Sequence, residues 1–168
     1  VANIFFISDT HFGHAGILSF KKEDGSPLRH FASVQEMDQH TIDRWNSVVR
    51  PQDHVYHLGD VAMKKSCLET ISRCNGHLRL VRGNHDIFPT KEYLKFFDEI
   101  YGVRVLDGMI FTHIPIHPES LGRFKANVHG HTHGSPYGKF GPRYIHVSVE
   151  AVDYVPVSLE DLKLRLSE

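Results

Sequence analysis

Short apolar-rich runs recur along the chain, and each ends in a polar cluster. "NIFFISD" (Asn3 to Asp9), "HVYHLGD" (His54 to Asp60) and "HLRLVRGN" (His77 to Asn84) have this form and predict buried strands closed by turns. Between them the period changes. In "SVQEMDQHTIDRWNSVV", Val34, Met37, Thr41, Trp45 and Val48 step by three or four, and Ser33 with Glu36 makes a capping box, so a helix is expected up to Pro51. A shorter helix follows in "KKSCLETISRC", closed by Asn75-Gly76, and another in "TKEYLKFFDEI". The later part is mostly strands: "YGVRVLDG", "MIFTH", "KANVHGH" and "RYIHVSVEAV". "SLEDLKLRL" ends the chain as a helix, with Ser158 as N-cap and Asp161 at the capping-box position. Residues 10–32 read as irregular, broken by Gly13, Gly16, Gly25 and Pro27. Early alternation with strands dominating later predicts an α/β domain, with either a partly antiparallel sheet or two sheets packed between helices.

With 168 residues and no linker, repeat or low-complexity run, a single domain over 1–168 is expected. The formal net charge of −1 gives no sign of a broad electrostatic grip on nucleic acid or anionic lipid, although a sum would hide a local basic patch. No apolar run approaches the ~18 residues that span a bilayer, and a cytoplasmic address is the default expectation. Cys67 and Cys74, seven apart on a predicted helix, read as part of a buried stripe. The unusual number is 14 histidines.

Those histidines gather at strand ends. The first strand closes in Asp9 and His11, the second in Asp60, the third in Asn84, His85 and Asp86, and "MIFTH" in His113. "VHGHTHG" then places His129, His131 and His133 on alternate positions, which in an extended segment turns them to one side. In open α/β sheets the ligand crevice lies beyond the carboxyl ends of the strands, so five segments aim oxygen and imidazole donors at one place. Gly59, Gly83 and Gly130 allow the backbone to turn sharply there. The donor set is nitrogen and oxygen without thiolate, which favours Mn, Fe, Zn or Co over Ca.

Taken together, Asp9-x-His11, Gly59-Asp60, Gly83-Asn84-His85-Asp86, His113 and Gly130-His131-x-His133 resemble the signature of the calcineurin-like metallophosphoesterases. The "SDTHFGH" opening and "VPVSLEDL" close look most like the small single-domain predicted phosphoesterases of bacteria and phages. The resemblance implies a two-sheet β-sandwich flanked by helices, a four-layer α/β/β/α arrangement. It also implies two divalent cations per chain, Mn preferred and Fe, Zn or Co as alternatives. One would be held by Asp9, His11, Asp60 and His133, the other by Asp60, Asn84, His113 and His131. The cations would share an activated hydroxide that attacks a phosphoryl group in line. His85 would serve the leaving oxygen as general acid, with Asp86 orienting its imidazole.

The expected substrate is a small phosphodiester, nucleotide-like or otherwise, with nucleic acid a partner only as substrate and no membrane. Phosphomonoesters, a phosphoprotein, or an interaction module that kept the fold are the rival readings. The last would be expected to have lost a ligand or the GNHD histidine, and both Asp60 and His85 are present. Candidate substrate contacts are His14, Lys22, Arg29, His117 and Arg123, together with Lys21 and Lys125. The oligomeric state is not legible.

Overall fold

The computed structural model describes residues 1–134 and 140–167. Two sheets face each other. The first has the order β4-β3-β2-β1-β9, built from β1 (Ile4–Ile7), β2 (His54–His57), β3 (His77–Val81), β4 (Glu99–Tyr101) and β9 (Val157–Ser158). Its first four strands are parallel and β9 runs antiparallel to β1. The second has the order β5-β6-β7-β8, from β5 (Arg104–Leu106), β6 (Met109–Phe111), β7 (Asn127–His129) and β8 (Tyr144–His146).

Alternation along β1 sorts the core. Phe5 and Ile7 turn outward to pack with Ile42, Trp45 and Val49 of the α1 region (α1, Val34–Asn46), while Phe6 turns inward between the sheets. Phe6 stacks on Phe111 of the second sheet at 4.3 Å and on Tyr56 at 5.5 Å. The outer face of the second sheet is covered by the segment that carries the short helix α3 (Pro118–Leu121). There Asn127 Oδ1 accepts the Ile116 N–H, and the Tyr144 hydroxyl donates to the Ile116 carbonyl. The two sheets flanked by helices are the architecture that the resemblance implied.

Four local expectations change. Lys65–Arg73 winds as a 3-10 helix, in which seven residues do not return to one face, yet Cys74 is still buried and Cys67 packs on the same core. The helix expected over "TKEYLKFFDEI" stops after one turn, α2 (Thr90–Tyr93). The Asp98 N–H instead meets the Leu78 carbonyl, and β4 pairs with the free edge of β3, where strand pairing satisfies more backbone than another helical turn would. β9, a strand not expected just ahead of the predicted C-terminal helix, closes the other edge before α4 (Leu159–Arg165), whose Ser158 cap accepts the Asp161 N–H as expected. Finally, β7 ends at His129, so "GHTH" is not an extended segment.

Level register makes the site. Ile7 lies opposite His57, and His57 opposite Leu80, so the loops after β1, β2 and β3 emerge side by side. The two sheets join at the same end. Ser8 N–H donates to the Val147 carbonyl, and the Val149 N–H donates to the Ser8 carbonyl, which brings the end of β8 against the first ligand loop.

Candidate metal centre

Two groups of three side chains stand where those loops meet. Asp9, His11 and His133 form one, and Asp60, His113 and His131 the other, each with its donor atoms within 4.8 Å of one another. Asp60 lies between them. Its Oδ2 is 3.6 Å from His11 Nε2 and 3.2 Å from His113 Nε2, while its Oδ1 accepts the His85 N–H at 2.9 Å. Asn84 Oδ1 joins the second group, 2.9 Å from His113 Nε2 and 3.0 Å from His131 Nδ1.

The backbone is bent to make this possible. Asp9, His11, Asp60, His131 and His133 all have φ between 48° and 68°, the left-handed region that L-residues enter at a cost of about 1–2 kcal/mol each. Alternation in "GHTH" therefore presents His131 and His133 through left-handed turns, not through a pleat. Their turns are held by bonds such as His131 N–H to Asp9 Oδ2, at 2.9 Å. Close approach requires three glycines: a β-carbon on Gly130 would collide with Ser8 Oγ and Asp9 Oδ2, one on Gly83 with Asp60, and one on Gly59 with the Gly83 backbone and His113.

Hydrogen bonds on the outer side of the rings aim the donor atoms inward. His113 Nδ1 faces the Leu58 carbonyl at 2.7 Å and donates to it, which turns Nε2 toward the oxygens of Asp60 and Asn84; burial opposes charge on this ring, but Asp60 raises its pKa. His133 Nδ1 faces Glu150 Oε1 at 2.9 Å, which likewise leaves Nε2 toward Asp9, 3.5 Å away. Burial works against the charge on Asp9, but His11, His133, His113 and the Ser8 hydroxyl outweigh it and hold the carboxyl far below the usual range. Asp60 is also held low, its burial offset first by His113. Asp9 Oδ1 and both ring nitrogens of His11 are nevertheless buried without a hydrogen-bond partner among the described residues. Buried polar atoms left so are costly, and a cation is the partner that charged oxygen and imidazole lone pairs fit. The residues present suit a divalent metal.

A calcineurin-like phosphoesterase profile matches residues 2–125 of this chain. The chain belongs to the calcineurin-like phosphoesterase family. With its ligand groups, it is a metal-dependent phosphoesterase. An uncharacterized protein of Methanocaldococcus jannaschii is 35% identical to it over 178 residues, covering 98% of this chain and 91% of that protein. The Gene 66 protein of Mycobacterium phage L5 is 34% identical over 92 residues, 51% of this chain and 41% of the phage protein. In structure the phosphoesterase is similar to a protein of unknown function, AQ665, from Aquifex aeolicus, with a TM-score of 0.72, 27% identity, and coverage of 98% and 99% of the two chains. No helix among the described residues is long and apolar enough to cross a membrane.

Other motif residues take different places. His85 is exposed over the centre, its ring 5.9 Å from that of His11. Asp86 does not orient it: the carboxylate is buried and accepts N–H donors from Asp60, Val61 and Gly83 at 2.7–3.0 Å, and no hydrogen bond among the described residues joins it to the His85 ring. Asp86 thus clips the second and third ligand loops together. Burial pushes its pKa up against those donors.

Arg29, expected as a phosphate contact, is 2% exposed and faces inward. Its guanidinium donates to the Asp9 and Thr10 carbonyls and, through Nε, to Glu150 Oε1 at 2.8 Å. His14 packs beside His11, with ring centres 5.5 Å apart. Lys22 lines a cleft next to His133. His117 is exposed and caps α3, and the exposed Arg123 lies over Phe124; neither lines that cleft.

Glu150 is the residue that sequence reasoning missed. Burial opposes its charge, but Arg29 and His133 hold its pKa down to about 2. A carboxylate that takes the outer N–H of a ligating histidine fixes the ring and raises its basicity. Glu150→Gln is expected to weaken the binding of Mn²⁺ by about 10–100-fold, read by calorimetric titration of the metal-free protein. An unchanged affinity would show that Glu150 serves only Arg29. Its one signal in the sequence is an acidic residue closing the apolar alternation "IHVSVE".

Proposed function

We propose that the chain hydrolyses a small phosphodiester with two divalent cations, Mn²⁺ for preference. Asp9, His11, Asp60 and His133 would hold one, and Asp60, Asn84, His113 and His131 the other. The observation that carries this reading is the place of Asp60: one carboxylate oxygen lies within 3.6 Å of an imidazole from each group. When bound, the cations supply positive charge for the phosphoryl oxygens and acidify water. The chain's own contribution is arrangement. The left-handed loops set the ligands, and Leu58 and Glu150 fix the tautomers of His113 and His133.

His85 would give a proton to the leaving oxygen. It stands exposed at the mouth, and its backbone N–H is tied to Asp60. A diester carries a second organic group, and the cleft beside His133, about 930 Å³, has room for it. The test is hydrolysis of bis(p-nitrophenyl) phosphate against p-nitrophenyl phosphate in Mn²⁺. Faster diester turnover, abolished by a chelator, is the expected result. A monoester preference would overturn the diesterase reading.

A further inference from the structure

The cleft has a defined construction. One side is His133, Thr132, Glu150 and Ala151, shared with or adjoining the metal-binding groups. The other side is a small hairpin, residues 20–28, in which the Lys22 N–H donates to the Ser26 carbonyl and the Leu28 N–H to the Phe20 carbonyl, both at 2.8 Å. Arg29 at its foot is bonded to the Asp9 and Thr10 carbonyls, so this wall is fixed relative to the first ligand loop.

Phe20 opens the hairpin and is 50% exposed. Its ring meets that of His14 edge-on at 5.9 Å, and His14 in turn lies 5.5 Å from His11. An aromatic face therefore begins two rings away from the metal ligands. Exposed Lys21 and Lys22 adjoin it; Glu23 and Asp24 share that wall, the Asp24 carboxylate accepting from the Ser26 N–H and hydroxyl. An aromatic face beside cations, next to a phosphoryl site, is the combination that binds a nucleobase and its phosphates.

We propose that this cleft receives the non-leaving group of the substrate, a nucleoside whose base stacks on Phe20 while Lys21 and Lys22 meet an additional phosphate. The proposal rests on the phosphodiesterase reading and names its substrate class. In the reaction a water oxygen bonds to phosphorus and the bond to the leaving alcohol breaks. The electron pair departs on that oxygen, which takes a proton from His85 or, as p-nitrophenolate, leaves without one, and a proton of the attacking water is released to solvent.

The experiment compares thymidine 5′-(p-nitrophenyl phosphate) with methyl p-nitrophenyl phosphate, which share a leaving group, in Mn²⁺. The wild type is expected to prefer the thymidine ester in kcat/KM. Phe20→Ala should cut that preference about tenfold, and Phe20→Trp should keep it. Thymidine monophosphate and a short single-stranded oligonucleotide, added as competitors, distinguish a free nucleotide from a chain end, since the better competitor marks the source. If both esters are hydrolysed with no preference, or Phe20→Ala leaves the preference intact, the nucleoside site is overturned and the diesterase reading stands. If neither ester is hydrolysed, the diesterase reading fails, and the nucleoside site with it.

Discussion

Replacing His85 with alanine is expected to lower phosphodiester turnover by about 10²–10⁴-fold, the usual contribution of a positioned general acid, with metal content unchanged. The ring is exposed and makes none of the close contacts that tie Asp9, Asp60, His113 and His133 together. Its loss leaves the centre's donors in place. The loss should also shrink for esters with good leaving groups such as p-nitrophenolate, because these need no proton. Metal lost with the activity would make His85 a ligand. Full activity with a poor leaving group would remove it from the chemistry.

Asp60→Asn is expected to do more. Asparagine keeps an oxygen for the His85 N–H but brings no negative charge to the space between the two groups, where Asp60 Oδ2 sits 3.2 Å from His113 and 3.6 Å from His11. Binding should fall from two cations to one at most. Diester turnover should fall by at least the order of 10³-fold associated with losing electrostatic stabilisation of a transition state. Metal analysis of the purified variant beside its rates checks both. A variant that still holds two cations with wild-type affinity would contradict the bridging position.

The parts of this site visible in the sequence and the parts hidden there differ in kind. Asp9, His11, Asp60, Asn84, His113, His131 and His133 could be named because each follows an apolar run. Parallel strands in level register deliver their carboxyl ends to one edge, and the structure brings all seven together there. Glu150 and Arg29 could not be named as a pair. They meet across 121 residues of sequence, and their partnership depends on β8 reaching the first ligand loop.

Arg29 shows the limit most clearly. On a loop it reads as a solvated cation, whereas its guanidinium is spent on two carbonyls and a buried carboxylate. Asp86 is similar. Its neighbour in sequence is His85, but its carboxylate turns back to backbone N–H groups on the preceding ligand loop. The left-handed turns at His131 and His133 were also hidden, since an alternating pattern looks the same whether a strand or a pair of tight turns carries it. β4 was partly hidden for a further reason: Glu99 and Ile100 continue a helical period, and only the free edge of β3 makes them a strand.

The central claim is that one carboxylate joins two cation sites. Electron paramagnetic resonance of the Mn²⁺-loaded protein tests it most directly, because two manganese ions sharing a ligand are magnetically coupled and isolated ions are not. The spectrum expected at two equivalents of Mn²⁺ per chain is that of a coupled pair, replaced in Asp60→Asn by the simple six-line signal of a lone ion. A six-line signal from the wild type at full loading would contradict the shared centre.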